Sequence, residues 1–142
     1  MILVDANLLI YAVDSDSPHH RKARRWLEEL LSGTTPVGLA WVVILAFLRI
    51  TTRSGILRRP LAPERALEFI DSWLAQPYVH ALSPGDGQWA VLRQLLRAVG
   101  TAGNLTSDAH LAAMALERGC DVYSTDGDFG RFSGVRHVNP IA

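Results

Sequence analysis

What most constrains this chain is an alternation. Short unbroken apolar runs take turns with longer segments whose apolar residues recur at helical period. Ile2, Leu3 and Val4 form a run that stops at Asp5, as a parallel strand covered on both faces would. From Pro18 onward Ala23, Trp26, Leu27, Leu30 and Leu31 mark one face of an amphipathic helix, closed by Gly33. Its other face carries Arg21, Lys22, Arg24, Arg25, Glu28 and Glu29. Residues 36–39 predict a strand, and residues 41–50, apolar on nearly every side, a buried helix. Pro63 suits a first helical turn, followed by the stripe Ala66, Phe69, Ile70, Trp73 and Leu74. Residues 78–82 predict a strand, and Trp89, Leu92, Leu95, Leu96 and Val99 a further helix. Residues 104–106 offer N-cap side chains for a helix running through Arg118 and stopped by Gly119. Residues 120–125 predict a strand, and residues 135–138 another. Strands alternating with helices of about 10–15 residues predict a three-layer α/β/α fold with a mainly parallel sheet. No repeat, low-complexity tract or linker divides residues 1–142, so one domain is expected, with an Arg- and Pro-rich loop over residues 54–63.

Composition narrows the function classes. At 49% hydrophobic and 20% charged residues the chain can bury a continuous core and is not a disordered segment. Its formal net charge is zero, which excludes a protein that holds nucleic acid by bulk charge. Any nucleic-acid contact must come from a local patch. The single cysteine, Cys120, has no partner for an internal disulfide, and a reducing cytoplasm is the expected setting. No basic segment precedes the apolar start, so no leader is expected. The longest apolar run, residues 39–48, is about half of a bilayer span.

The chemical signal is in the aspartates. Asp5 stands at the C-terminal end of the first strand, and Asp126 and Asp128 stand just past the end of the 120–125 strand. In an open parallel sheet these ends share one edge, where ligands bind. Asp108 lies in a first helical turn on the same face as Leu111, Ala112 and Ala115, so its carboxylate is directed at that edge. Taken singly, Asp5 could cap the next helix, and Asp126 and Asp128 could serve turns before Gly127 and Gly130. Together, carboxylates at one edge raise each other's pKa unless a cation neutralises them. Hard divalent ions, Mg²⁺ or Mn²⁺, answer that need, and such ions support phosphodiester hydrolysis. Zinc bound by cysteine and histidine has no ligand spacing here.

Three segments carry a family resemblance: Val4-Asp5-Ala6-Asn7, Ser107-Asp108-Ala109-His110-Leu111-Ala112-Ala113 and Ser124-Thr125-Asp126-Gly127-Asp128-Phe129. In order and spacing they resemble the PIN-domain toxins of the VapC type over essentially the whole chain. The resemblance implies a metal-dependent endoribonuclease using Mg²⁺ or Mn²⁺. Asp5, Asp108 and Asp126 would be the metal-binding acids, with Asp128 a fourth catalytic acid close behind. It further implies Asn7 and Thr125 as polar neighbours that orient ligands or water, an RNA substrate, a homodimer, and a small antitoxin partner whose tail enters the site. One departure is expected to matter. Many members carry a glutamate in the second helical segment, whereas here Leu45-Ala46-Phe47-Leu48-Arg49 sets Phe47 at that place.

Arg49 and Arg53, four apart on one helix face, are candidate phosphate contacts, as are Arg58, Arg59 and the run from Arg21 to Arg25. His19 and His20 read as packing residues, and His110 points away from the face that carries Asp108. Trp26, Trp41, Trp73 and Trp89 read as core or interface residues. Two rival readings stand beside the nuclease. A phosphohydrolase with a strand-end aspartate nucleophile needs a lysine at the same edge, and the one lysine, Lys22, falls on a charged helix face. A PIN scaffold that binds RNA or a partner without cutting is the other, and Phe47 is the feature that supports it.

Overall fold

The computed structural model describes residues 1–142. Five strands, β1 (Ile2–Val4), β2 (Val37–Ala40), β3 (Val79–Leu82), β4 (Asp121–Tyr123) and β5 (His137–Val138), form one sheet. Their order is β3-β2-β1-β4-β5 and every pair is parallel. Six helices join them: α1 (Ala6–Val13), α2 (His20–Leu31), α3 (Trp41–Thr52), α4 (Pro63–Leu74), α5 (Gln88–Val99) and α6 (Thr106–Arg118). Short 3₁₀ turns cover Gly103–Leu105 and Gly127–Arg131.

The strand order explains the layers. From β1 the chain steps outward to β2 and β3, then returns across the sheet to β4 and β5 on the other side of β1. With right-handed crossovers, reversing the direction of travel moves the helices to the opposite face. Correspondingly, α1 packs on α2 and α3, α3 on α4, and α5 on α6 as a separate pair. Between the layers lies one core of 32 residues, in which Leu3, Leu8, Leu9, Phe47, Leu111, Met114 and Phe129 are sealed from solvent. Side chains of the two flanking strands fill the space above Gly38, where a Cβ would stand 2.5 Å from Leu82 Cδ1 and 2.6 Å from Leu3 Cδ2.

Several expectations are met. Pro63 occupies the first turn of α4, and α6 ends on Gly119, whose φ of 66° is the left-handed conformation that glycine adopts without strain. Three differ. The helix after Asp5, α1, shows no stripe because Leu8, Leu9 and Ile10 are all buried in succession. The N-cap side chains expected for α6 are not used: the 3₁₀ turn feeds the helix directly, and Thr106 Oγ1 instead donates to the Gly103 carbonyl at 2.8 Å. Nor is α3 buried all round, since Trp41 is 48% and Leu45 56% exposed on one open face.

No helix is long and apolar enough to cross a membrane.

Candidate active site

Reversal of the strand order between β1 and β4 opens a crevice at their C-terminal ends, the place where parallel sheets bind ligands. Register brings the two strand ends level. Val4 pairs with Tyr123, and the Asp5 amide donates to the Tyr123 carbonyl at 2.9 Å, so Asp5 and Ser124 leave the sheet side by side.

Asp5 serves two purposes that the sequence left as alternatives. Its Oδ1 accepts the Ala6 amide at 2.8 Å and caps α1. Its Oδ2 accepts the Ser124 hydroxyl at 2.7 Å and the Asn7 side-chain amide at 3.3 Å. Burial raises the Asp5 carboxyl above its ordinary range, against the opposing pull of the Ser124 and Ala6 hydrogen bonds.

Asp126 likewise both turns the chain and contributes an acid. Its Oδ1 accepts the Asp128 amide at 2.9 Å and starts the 3₁₀ turn, which is anchored from below by the fully buried Phe129. Asp108, in the first turn of α6, reaches the same point from the opposite layer. Carboxylate oxygens of Asp108, Asp126 and Asp128 lie within 4.8 Å of one another. Asp5 stands beside this trio and is felt by it, but its oxygens are not part of that set.

The electrostatics follow from the geometry. Burial first, then the adjoining Asp126 carboxyl, and then the charges of Asp126, Asp5 and Asp128 push Asp108 up to about 7. All the charges acting on Asp108 are negative. An all-oxygen donor set with unrelieved like charge fits a hard divalent cation and does not fit a soft metal.

Asn7 and Thr125 fall in the hydrogen-bonded layer beneath the acids. Asn7 Nδ2 donates to Ser124 Oγ at 3.0 Å, and Asn7 Oδ1 accepts the Thr125 amide at 3.3 Å. Thr125 thus contributes its backbone. The hub of this layer is Ser124, which was not among the expected site residues. It is fully buried, and its hydroxyl donates to Asp5 while accepting from Asn7 and from the Asp126 amide at 3.0 Å. A serine two positions before a strand-end aspartate was the one available signal.

Other candidates are not brought to the crevice. Arg49 is exposed in the last turn of α3, eight residues and so about 12 Å along the axis from the end that adjoins β2. Arg53 lies past the end of that helix. Arg24 and Arg25 pair with Glu28 and Glu29 at 2.9 and 3.2 Å, and Arg59 grips both oxygens of Asp16 at 2.9 and 3.0 Å. Lys22 is exposed on α2, leaving the sheet edge without the lysine a phosphohydrolase of the rival type needs. His110 meets Gln88 between α5 and α6, as its position opposite Asp108 implies. His20 Nδ1 lies 2.9 Å from the Tyr11 carbonyl, and the His19 ring packs on Tyr11.

Phe47 requires a correction. It is fully buried, and its ring meets Trp73 of α4 edge-on at 4.9 Å. A side chain at residue 47 therefore belongs to the core between α3 and α4 and not to the acid crevice. α3 contains no carboxylate at any position, so the acids come from β1, β4 and α6 alone.

Comparison with known proteins agrees with this geometry. The PIN domain family model matches residues 2–135. Ribonuclease VapC37 of Mycobacterium tuberculosis is 46% identical over 142 residues, covering 100% of this chain and 99% of the relative. Ribonuclease VapC33 of the same organism is 38% identical over 141 residues, with 99% of each chain covered. Among solved structures, VapBC2 from Rickettsia felis bound to a DNA fragment from its promoter superposes with a TM-score of 0.72 at 18% identity, covering 98% of both chains. An acid crevice at the β1–β4 switch point and two full-length relatives lead to one conclusion: this chain belongs to the PIN-domain family, in its VapC branch.

Proposed function

We propose that this chain, as one domain over residues 1–142, is a metal-dependent endoribonuclease that acts as the toxin of a toxin–antitoxin pair. The observation that carries the reading is the Asp108–Asp126–Asp128 trio within 4.8 Å at the switch point, with Asp108 pushed up to about 7. Acids alone would repel a phosphodiester. Asp108 and Asp126, with Asp128 and Asp5 adjoining, would hold Mg²⁺ or Mn²⁺, and the ion would supply Lewis acidity for phosphodiester hydrolysis. The protein's own part is positioning. Ser124 and Asn7 fix Asp5, the Ser124 hydroxyl fixes the Asp126 amide, and the buried Phe129 sets the turn that aims Asp128 outward.

The partners follow the same reading. RNA is the substrate of the activity named in the full-length relatives. The open apolar face of Trp41 and Leu45 on α3 is the surface we assign to a homodimer. A small antitoxin is the expected second partner, and a half-apolar groove of about 580 Å³ between α2 and α4 offers it a seat. The groove lies by the C-terminal end of α1, away from the acids, so an antitoxin tail must extend beyond it to reach them. A cytoplasmic location suits both partners.

The test is cleavage of RNA by purified protein in Mg²⁺, Mn²⁺ or EDTA, beside Asp108→Asn and Asp126→Asn variants. Metal-dependent cutting that both variants lose supports the reading. Equal cutting by wild type and variants refutes this site. No cutting of any RNA together with no metal uptake in calorimetry favours the silent scaffold.

A further inference from the structure

β5 closes the sheet with a defect. The Val122 amide donates to the Arg136 carbonyl and the Ser124 amide to the Val138 carbonyl, at 2.9 and 3.0 Å. In a parallel ladder the next bond runs from the amide of residue 140 to the Ser124 carbonyl. Residue 140 is a proline and has no N–H to give. Ser124 is fully buried, so its carbonyl would be left without a partner at the end of the strand that bears the acids. The side chain of His137 fills the gap: its Nε2 lies 2.8 Å from the Ser124 oxygen. A carbonyl only accepts, so Nε2 carries the hydrogen. The ring is held in place by the Phe129 ring, with centroids 5.7 Å apart.

The groups that adjoin that peptide lead to the acid cluster. The Ser124 hydroxyl holds Asp5 Oδ2 and the Asp126 amide, and the following amide, that of Thr125, is held by Asn7. We propose that His137 is a positioning residue for the acid cluster: it replaces the ladder bond Pro140 cannot make, and so fixes the Ser124 peptide from which Asp5 and Asp126 take their orientation. This rests on the proposed metal-dependent nuclease for its functional consequence, while the geometric part stands independently. Residues that orient metal ligands typically change metal affinity or activity by about 10–100-fold when removed.

The experiment compares full-length wild type, His137→Ala and His137→Gln. Glutamine keeps an amide N–H donor at a similar reach without the aromatic ring. Mn²⁺ affinity is read by calorimetry, RNA cleavage as separate kcat and KM, and the Thr125 and Asp126 amides by hydrogen exchange. His137→Ala is expected to weaken Mn²⁺ binding about 10-fold and to lower kcat with KM nearly unchanged. It should also expose the two amides to exchange, and His137→Gln should recover most of all three. Wild-type affinity, kcat and exchange in His137→Ala would overturn the proposal. So would losses that His137→Gln fails to recover, because the ring's packing on Phe129 would then be the operative contact. If wild type itself binds no Mn²⁺ and cuts no RNA, the nuclease reading fails. The exchange comparison alone then decides whether His137 orders this peptide.

Discussion

Replacing Asp108 by asparagine should make the metal-free protein more stable, although it removes a residue of the site. Asp108 is pushed from an ordinary 3.8 to about 7 by burial and by its acidic neighbours. Over that interval the folded state holds a proton that the unfolded chain has released. Stability of the metal-free protein therefore falls as pH rises through the window, and the loss is complete above about 7. At full weight the shift corresponds to about 4 kcal/mol. Asp108 is partly open to water, and screening reduces this to about 1–2 kcal/mol. Asparagine keeps the size, adds no charge, and can donate to Asp126. In EDTA at pH 7.5, Asp108→Asn should raise the melting temperature by about 3–8 °C. The gain should shrink toward zero as pH is lowered toward 4. With Mg²⁺ at about a hundredfold over its Kd the order should reverse, since binding adds about 2.7 kcal/mol to wild type and little to the variant. Thermal melts across pH, with and without Mg²⁺, measure all of this. A variant less stable than wild type in EDTA at pH 7.5 would refute the view that like-charge repulsion dominates this crevice.

Further outcomes can be checked alongside it. Phe47→Glu should not enhance metal binding but unfold the chain, because it buries an unpaired carboxylate against Trp73; Phe47→Ala should cost about 3–5 kcal/mol in urea denaturation. Ser124→Ala strands the Asp126 amide and leaves Asp5 Oδ2 only the longer Asn7 bond, and should cost about 1–3 kcal/mol while lowering Mn²⁺ affinity measured by calorimetry. Gly38→Ala forces a Cβ into Leu82 and Leu3 and should cost about 1–3 kcal/mol by the same denaturation assay, leaving metal affinity in the folded fraction unchanged.

Much of the molecule is written in local pattern. Short unbroken apolar runs mark the strands because both their faces are covered, period-3.6 stripes mark most helices because each has one face to bury, and Pro63 and Gly119 mark ends because their backbones permit little else. α1 escapes the pattern because it is buried on too many sides to leave a stripe. The acids at the strand ends are legible for a topological reason: a parallel sheet places all such ends along one edge. What local pattern misses is non-local. Ser124 looks like any strand-end serine until β1 lies beside β4 and its hydroxyl meets residues 5, 7 and 126. Phe47 was misplaced because a helical segment's facing depends on its docking angle, which no spacing within α3 records. Among the arginines, the Arg24–Glu28 pair is legible as an i,i+4 spacing, whereas Arg59 finds Asp16 only once elements distant in the chain come together.

The central position of β1 has a consequence for how the chain comes off the ribosome. Residues 2–4 emerge before the other strands, yet one of their two neighbours, β4, follows more than 100 residues later at Asp121–Tyr123, and β5 comes after it at His137–Val138. A nascent chain can fold β1 to β3 with α1–α4, but it then carries Asp5 against an unpaired edge with no Ser124, Asp126 or Asp128 to face it. The four acids meet only once the segment through Asp128 has been synthesised. A chain that stops before Asp126 therefore cannot assemble the acid cluster, which comes together in a single late step.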